Sequence, residues 1–433
     1  IYNITKILFN KKVAKVVFFI CFLNPIYFGH MAINSKDTIF AFAHIWSTYI
    51  FIRYIKTQHF SVNRNRYVIL AGLSIGLGTG VRLPFIITLL PLLLFLIVEI
   101  FYFKSIINDK FSIKKFILDL AKILIIAYLI TISAWAQVHN NIFIEPFKIF
   151  MTGVELQDFG ANWILFDGKF FDTLLLPSSY IIINLIYKSP EFLLLLYIIF
   201  IYLIITKKDF FISEFKFFWI KIFLVLLIFL FPLLYFNFLP YRIYDGLRLF
   251  LYIIPYFCII PGLAVYYLFN NRNLFLNKIL ISITALLFLY YSYCFIFFTP
   301  YHYTYLNFFS GSSQNKNQKF ENDYWGVSIK ELISKIPMKT NLISKNERIK
   351  IAFCGVNHET AISELNKLKK LNYEIVDLYE DDFDYIIMTN RAVVSKNSNN
   401  ISEVKTCFQK NYGEDLIQIK RNNLMLSTLR KKL

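Results

Sequence analysis

Several signatures of soluble enzymes are missing from this chain. It has no GxxxxGK[ST] phosphate loop and no GxGxxG turn, so the backbone cradles that hold nucleotides in the common α/β folds are not written in it. No CxxC, HExxH or HxxxH spacing occurs among its 5 cysteines and 6 histidines, which removes the usual zinc and dithiol signatures. Charge is also scarce. Between Val13 and Phe298 it gathers in short clusters separated by long apolar runs. A polar stretch resumes only from Thr299 onward.

What remains is apolar and aromatic. Hydrophobic residues make up 57% of the 433 positions, aromatics 19%, and mean hydropathy is +0.52. A water-soluble domain cannot hide that much apolar surface. The composition predicts an all-α polytopic membrane bundle over residues 1–298, followed by a small α/β soluble domain over 299–433. The net charge of +18 need not mean nucleic acid. Many of the cations flank apolar runs, where positive charge sets topology, and no nucleic-acid-binding spacing is present.

About nine apolar spans are expected: Val13–Phe28, Thr38–Ile55, Tyr67–Thr79, Leu83–Phe103, Phe116–Val138, Glu191–Ile205, Phe217–Phe236, Leu249–Phe269 and Asn277–Phe298. Basic clusters fall on alternate connections, such as Lys11-Lys12, Arg64 with Arg66, Lys114-Lys115, Lys207-Lys208, and Arg272 with Lys278. The positive-inside rule makes these cytoplasmic. Gly29–Asp37, Gly80–Arg82, His139–Pro190, Asn237–Arg248 and the polar tail then lie outside. No cleavage pattern follows the first run, and the chain opens at Ile1, so a segment upstream of Ile1 is expected. Cys21, Cys258 and Cys294 sit in apolar runs as packing residues. Cys354 and Cys407 could pair if the tail is extracytoplasmic. With an odd total and no CxxC, free thiols are the favoured reading.

The outer connections collect the unusual residues. Lys36 and Asp37 open the second span, and Arg82 closes GTGVRLP. Arg242, Tyr244, Asp245 and Arg248 share LPYRIYDGLRLF. Guanidinium forks suit phosphate, so Lys36, Arg82, Arg242 and Arg248 are candidates for an anionic, membrane-bound substrate. Asp37 is the candidate catalytic carboxylate. It has a plainer alternative as a helix cap, worth about 0.5–1 kcal/mol. Arg82 and Arg248 could each be interfacial anchors. His30 near Asp37 could form a ligand pair, although a satisfied surface histidine is the plainer role. Glu145, Glu155, Asp158, Asp167 and Asp172 in the long outer connection read as solvated surface.

In the tail, Arg348–Phe353, Tyr373–Tyr379 and Tyr385–Met388 read as buried strands, with a helix over Ala361–Lys369 that favours a parallel pair. Val327–Ile336 has helical spacing. Asp415–Lys420 and Leu424–Thr428 read as a hairpin across Arg421-Asn422-Asn423. Gly311–Lys319 reads as a flexible connection. The DYWG turn, Asp323–Gly326, either packs the tail down or touches the acceptor, and packing is the favoured role.

Four stretches carry a resemblance: NPIYFGHMAINSKDTIFAF (24–42), GLSIGLGTGVRLPFIITLLP (72–91), YDGLRLFLYIIP (244–255), and YHYTYLNFFSG (301–311) with ENDYWGVSIKEL (321–332). In order and spacing the chain resembles the GT-C membrane glycosyltransferases, in particular relatives of the dolichyl-phosphate-mannose protein mannosyltransferases and aminoarabinose transferases. The resemblance implies transfer of a sugar from a polyprenyl-phosphate donor to an acceptor glycan, lipid or protein on the outer face of the bacterial cytoplasmic membrane. It places Asp37 at the family's second acidic position, which assists the site or holds a divalent ion (magnesium or manganese). The family's first acidic loop would lie upstream of Ile1. The competing classes are a transporter or flippase of lipid-linked sugars and a non-catalytic relative. The absence of an internal repeat and the gathering of charge on one side favour the enzyme.

Overall fold

The computed structural model describes residues 1–155, 162–236, 242–340, 342, 348–379, 382–394, 401–411 and 413–432. Contacts divide the chain into two units. The first comprises Ile1–Gln157, Pro190–Tyr241 and Leu247–Phe288; the second comprises Asp158–Ser189, Arg242–Gly246 and Leu289–Leu433.

The first unit is helical. By length and composition, 4 helices among the described residues can cross a membrane, or up to 7 if bent helix pairs count as single spans. Two more of the expected runs fall on Ser35–Thr57 and Ser61–Val81, 23 and 21 residues long. At 1.5 Å per residue each is roughly the ~30 Å of a hydrocarbon core, but both carry more polar side chains than the other spans. One expected run is broken internally, and the breaks ahead of Glu191–Ile205 and Phe217–Phe236 fall at the edges of expected runs. The internal break lies at Asn24-Pro25, where Lys11–Phe22 meets Pro25–Ile33 at 61°. The Asn24 side chain accepts from the amides of Ile26 and Tyr27, and Pro25 occupies the first helical position. A new helix is thereby capped in the middle of an apolar run. The second break follows Lys188 at Ser189-Pro190, and the third separates Lys208–Glu214 from Phe218–Phe236.

Helix contacts explain the glycine-rich run. A Cβ on Gly72 would stand 2.6 Å from the Ile126 side chain, and one on Gly76 would stand 2.7 Å from the Ala127 carbonyl. Ser61–Val81 and Ile113–Ala134 therefore approach closely because these positions lack side chains. Ser74, within a GLSIG pattern that has the spacing of a hydrolase elbow, lies in mid-helix. Its hydroxyl bonds the Ala43 carbonyl and the Ser47 hydroxyl, a packing role. Away from the site, Asp119 takes both arms of Arg64 at 2.5 and 2.7 Å and the Tyr54 hydroxyl at 2.6 Å. A buried carboxylate is satisfied there without any chemical task.

The second unit contains a hairpin, β1 (Trp163–Phe166) with β2 (Lys169–Asp172), that turns through left-handed Asp167 and Gly168. It also contains β3 (Ile349–Cys354), β4 (Tyr373–Ile375), β5 (Tyr385–Thr389), the short antiparallel pair β6 (Ala392–Val393) and β7 (Lys405–Thr406), and the hairpin β8 (Glu414–Arg421) with β9 (Leu424–Lys431). The main sheet runs β4-β3-β5-β9-β8. β3 is parallel to both β4 and β5, as the crossover through helix His358–Leu365 requires. Asn422 and Asn423 both take positive φ, which a two-residue hairpin turn needs and asparagine tolerates. Gly311–Lys319, expected to be irregular, contains the helix Ser313–Lys319 capped by Ser312. In the DYWG turn the Asp323 carboxylate accepts from the Tyr303 hydroxyl and from the amides of Val327 and Ser328. It is a buried knot that starts the next helix.

The cysteine reading is corrected. Cys354 at the end of β3 and Cys407 after β7 form a disulfide, and Cys21, Cys258 and Cys294 are free and buried. The bond closes a loop with a sequence separation of 53 residues, for which chain entropy gives about 4 kcal/mol. Replacing both cysteines with serine should make the tail of the purified full chain markedly more sensitive to limited proteolysis. Added reductant should have the same effect on the parent and none on the variant.

Candidate functional site

The site in the first unit starts from a helix cap. Pro25–Ile33 ends at Asn34, which is also the N-cap of Ser35–Thr57. The Asn34 side-chain oxygen accepts from the Asp37 amide at 3.2 Å, and its nitrogen donates to the Asp37 carboxylate at 2.6 Å. The His30 carbonyl accepts from both the Asn34 amide and the Thr38 hydroxyl. The turn that presents Asp37 is thus pinned from both sides.

Two guanidiniums converge on that carboxylate. Arg82, the C-cap of Ser61–Val81, reaches one oxygen at 3.0 Å. Arg248, which opens the short helical turn Arg248–Ile253, reaches the other at 3.1 Å. Asp37 is 4% exposed, whereas the Arg82 and Arg248 side chains keep 22% and 11% of their surface. One buried negative charge therefore lies beneath two more open positive ones. The three groups sum to +1, and the excess sits on the accessible side. In a medium of low dielectric that arrangement attracts an anion and supplies fork-shaped donors for it.

The remaining sequence candidates divide. Lys36 is exposed beside Asp37. His30 is fully buried, with Nδ1 on the Ile26 carbonyl at 2.8 Å, so it is a core residue and not the surface histidine expected. One carboxylate flanked by two guanidiniums does not fit a divalent cation. Among the described residues no group of three His, Cys, Asp or Glu side chains could hold a metal. Farther along the same helix, His44 Nε2 bonds the Thr88 carbonyl at 3.0 Å, and the Tyr256 hydroxyl donates to Thr48 at 2.7 Å. Asp37, His44 and Thr48 lie along one face of Ser35–Thr57.

Arg242 and Asp245 find their partners in the second unit. Arg242 donates to Asp172 at 3.2 Å and to the Thr173 hydroxyl at 2.9 Å. Asp172 was expected to be solvated, and Asp158 and the Glu155 side chain lie outside the described residues. Asp245, at φ +61°, accepts from Arg391 at 2.7 Å. Tyr244 is half-buried between them. Lys188 and Glu321 line a small cavity with Asp245, Tyr180 and Tyr324. Arg391, Lys188 and Asn34 were not singled out from sequence. Only Asn34 had a local signal, as a capping residue type three positions before a carboxylate.

Glu321 is 5% exposed; one oxygen accepts from the Ala392 amide, and the other has no hydrogen-bond partner. Burial pushes its carboxyl up to about 7, against the pull of Arg391. Burial also opposes the charged form of Arg391, but Asp245 and Glu321 outweigh it and hold the guanidinium above its ordinary value.

Residues 1–135 match the model of the family described as dolichyl-phosphate-mannose-protein mannosyltransferase. This bears out the resemblance to GT-C glycosyltransferases over the segment that contains Asp37 and Arg82. No curated protein matches the chain. Among solved structures it is similar to ArnT from Cupriavidus metallidurans bound to undecaprenyl phosphate, at 9% identity and a TM-score of 0.46, covering 99% of this chain and 80% of that one. The apo state of that protein gives a TM-score of 0.44 with the same identity and coverage. The apo oligosaccharyltransferase of Archaeoglobus fulgidus gives 0.36, at 12% identity over 90% of this chain and 56% of that one. These overlaps are distant.

The position of Glu321 sets a pH dependence. The unfolded chain ionises this group near the ordinary carboxylate value of 4.5, whereas the native state keeps its proton until about 7. The native state therefore binds more protons across that window. Its contribution to stability is complete below the lower value and is lost, by about 3 kcal/mol, as pH rises through the upper one. Thermal unfolding of the purified full chain should occur at a lower temperature at about pH 8 than at about pH 5. Glu321→Gln should flatten that difference; an unchanged pH profile would remove Glu321 as its source.

Proposed function

We propose that the chain is a membrane glycosyltransferase that takes a sugar from a polyprenyl-phosphate donor and passes it to an acceptor hydroxyl on the outer face of a bacterial cytoplasmic membrane. The observation that carries this reading is the Asp37–Arg82–Arg248 cluster, in which a buried carboxylate orients two partly open guanidiniums. The match of residues 1–135 to a lipid-phosphate-sugar transferase family supports it. Nine crossings, counting Ser35–Thr57 and Ser61–Val81 with the seven spans and bent pairs, would put the 299–433 tail outside. The Cys354–Cys407 disulfide supports the same side, because such bonds persist in oxidising compartments.

The reaction assigns roles to the residues. The acceptor oxygen attacks the anomeric carbon, and the bond from that carbon to the donor's phosphate oxygen breaks. The lipid phosphate leaves with the electron pair and gains negative charge. Arg82 and Arg248 donate to that phosphate as its charge grows, and this stabilises the transition state more than the ground state. The acceptor proton needs a base. Asp37 is the assigned carboxylate, since each guanidinium that turns toward the phosphate relinquishes one of its oxygens. Lys36, exposed one position earlier, adds a long-range attraction for the anionic headgroup. Arg242, Tyr244 and Asp245 hold the connection that leads into Arg248, and any acceptor contact they make is part of this reading.

Donor-dependent transfer should separate these roles. Arg82→Ala and Arg248→Ala should each lower kcat/KM for the donor by roughly 10- to 100-fold, with most of the loss in kcat, the scale of a lost charge-assisted hydrogen bond. Asp37→Asn, which keeps shape but not charge, should lower kcat by about 100-fold or more. Transfer at the parent rate by Asp37→Asn, with the protein still inserted in the membrane, would leave Asp37 as a helix cap only.

A further inference from the structure

The helix Phe275–Phe297 stands apart from the other candidate spans. Only 11% of its apolar window is buried, against 89% for Arg248–Asn270. Within the first unit Phe288 meets Phe19 at 5.9 Å and Phe192 at 5.3 Å between ring centres. Beside these rings lies a groove of about 450 Å³. Phe19, Leu23, Leu196, Leu268, Ile281 and Ala285 line it, and Lys15 is its one charged lining residue. The Thr284 hydroxyl also borders it but donates to the Leu280 carbonyl at 2.7 Å. A buried water needs two to four polar partners, and this lining does not offer them. In a bilayer the groove fills with hydrocarbon.

Charge marks one end. Lys15 begins the groove on its helix, and the lining continues to Leu23, roughly 12 Å at 1.5 Å per residue. Lys278 precedes Ile281 by three positions, which places it on the same helical stripe as Ile281 and Ala285. Arg272 follows Phe269 by three positions, in the connection between the two helices. Lys15, Arg272 and Lys278 are all exposed, and no carboxylate lines the groove. This is the end that the alternation of basic clusters assigns to the cytoplasmic leaflet. Asp37 lies farther along the chain, beyond the helix break at Asn24.

We propose that this groove is a site for an anionic phospholipid of the cytoplasmic leaflet, with one acyl chain between Phe275–Phe297 and the rest of the unit and the phosphate at Lys15 and Lys278. Basic residues at the cytoplasmic end of an interhelical groove recognise such headgroups by charge. The site is separate from the donor cluster and rests only on the membrane reading of the first unit.

Native mass spectrometry of the full chain, reconstituted with phosphatidylglycerol and phosphatidylethanolamine and then returned to mild detergent, tests it. The parent should retain one phosphatidylglycerol in preference to phosphatidylethanolamine. Lys15→Ala combined with Lys278→Ala should weaken that retention roughly tenfold and abolish the preference. Ala285→Phe, which fills the groove, should remove both lipids. Equal phosphatidylglycerol retention by the double variant overturns the proposal. So does retention of phosphatidylethanolamine alone, or a co-purifying protein or second copy in place of lipid.

Discussion

A carboxylate taken out of water must be paired, and the first unit is organised around one such obligation. Asp37 is buried at the start of a helix that the surrounding composition drives into a membrane. Its neutralisation requires partners, and the chain brings two from distant positions, Arg82 and Arg248. Breaking a buried pair by removing one member costs several kcal/mol, because the other charge is stranded. The same obligation therefore fixes where three separate elements end: the first turn of Ser35–Thr57, the last of Ser61–Val81 and the first of Arg248–Ile253. Local structure, packing and the surplus positive charge follow from a single ionic knot. What our proposal reads as a site, where a strut would be balanced, is the inequality of exposure, with the guanidiniums more open than the carboxylate they neutralise. Arg64 and Asp119 provide the contrast: their two-armed pair is balanced, and Tyr54 completes it.

The second unit solves a different problem with similar parts. Lys188, Asp245, Glu321 and Arg391 are gathered out of water, two of each sign. Arg391 and Asp245 pair directly, while Glu321 keeps one oxygen without a hydrogen bond and holds its proton to near neutrality. Such a cluster gives a weak stabilising return for its desolvation, but it orders the loop residues that contribute to it. Arg242 was a phosphate-binding candidate and Asp245 a further site candidate, both in the stretch that leads into Arg248. In the structure they anchor their stretch of chain through Asp172 and Arg391.

How much of this was legible from sequence depended on the range of the interaction. Every expected apolar run falls on a helix or on a broken helix pair, because burial periodicity and length are local properties. The break at Asn24-Pro25 was missed because hydropathy does not register caps, although it carries a local signal of an N-cap followed by proline. In the tail, the five strands of the main sheet, the crossover and the Asn422-Asn423 turn followed from pattern and turn chemistry, whereas the short β6–β7 pair did not. The Cys354–Cys407 bond did not, since counting thiols says nothing about which of them the sheet brings together. Each member of the Asp37 cluster is legible in the sequence as a candidate, but their mutual contact is not. Arg391 was overlooked because it lies 146 positions from Asp245, and nothing in its own neighbourhood marks it.

Ser35–Thr57 carries one more implication. Its polar side chains at Asp37, His44 and Thr48 are each engaged with a different element: two arginines, the Thr88 carbonyl and Tyr256. The helix is therefore keyed, like a shaft whose teeth must all mesh at one angle. Each residue added between Asp37 and His44 would turn one tooth about 100° away from the others. Amino-acid type along this segment can drift wherever lipid is the neighbour, but its length cannot.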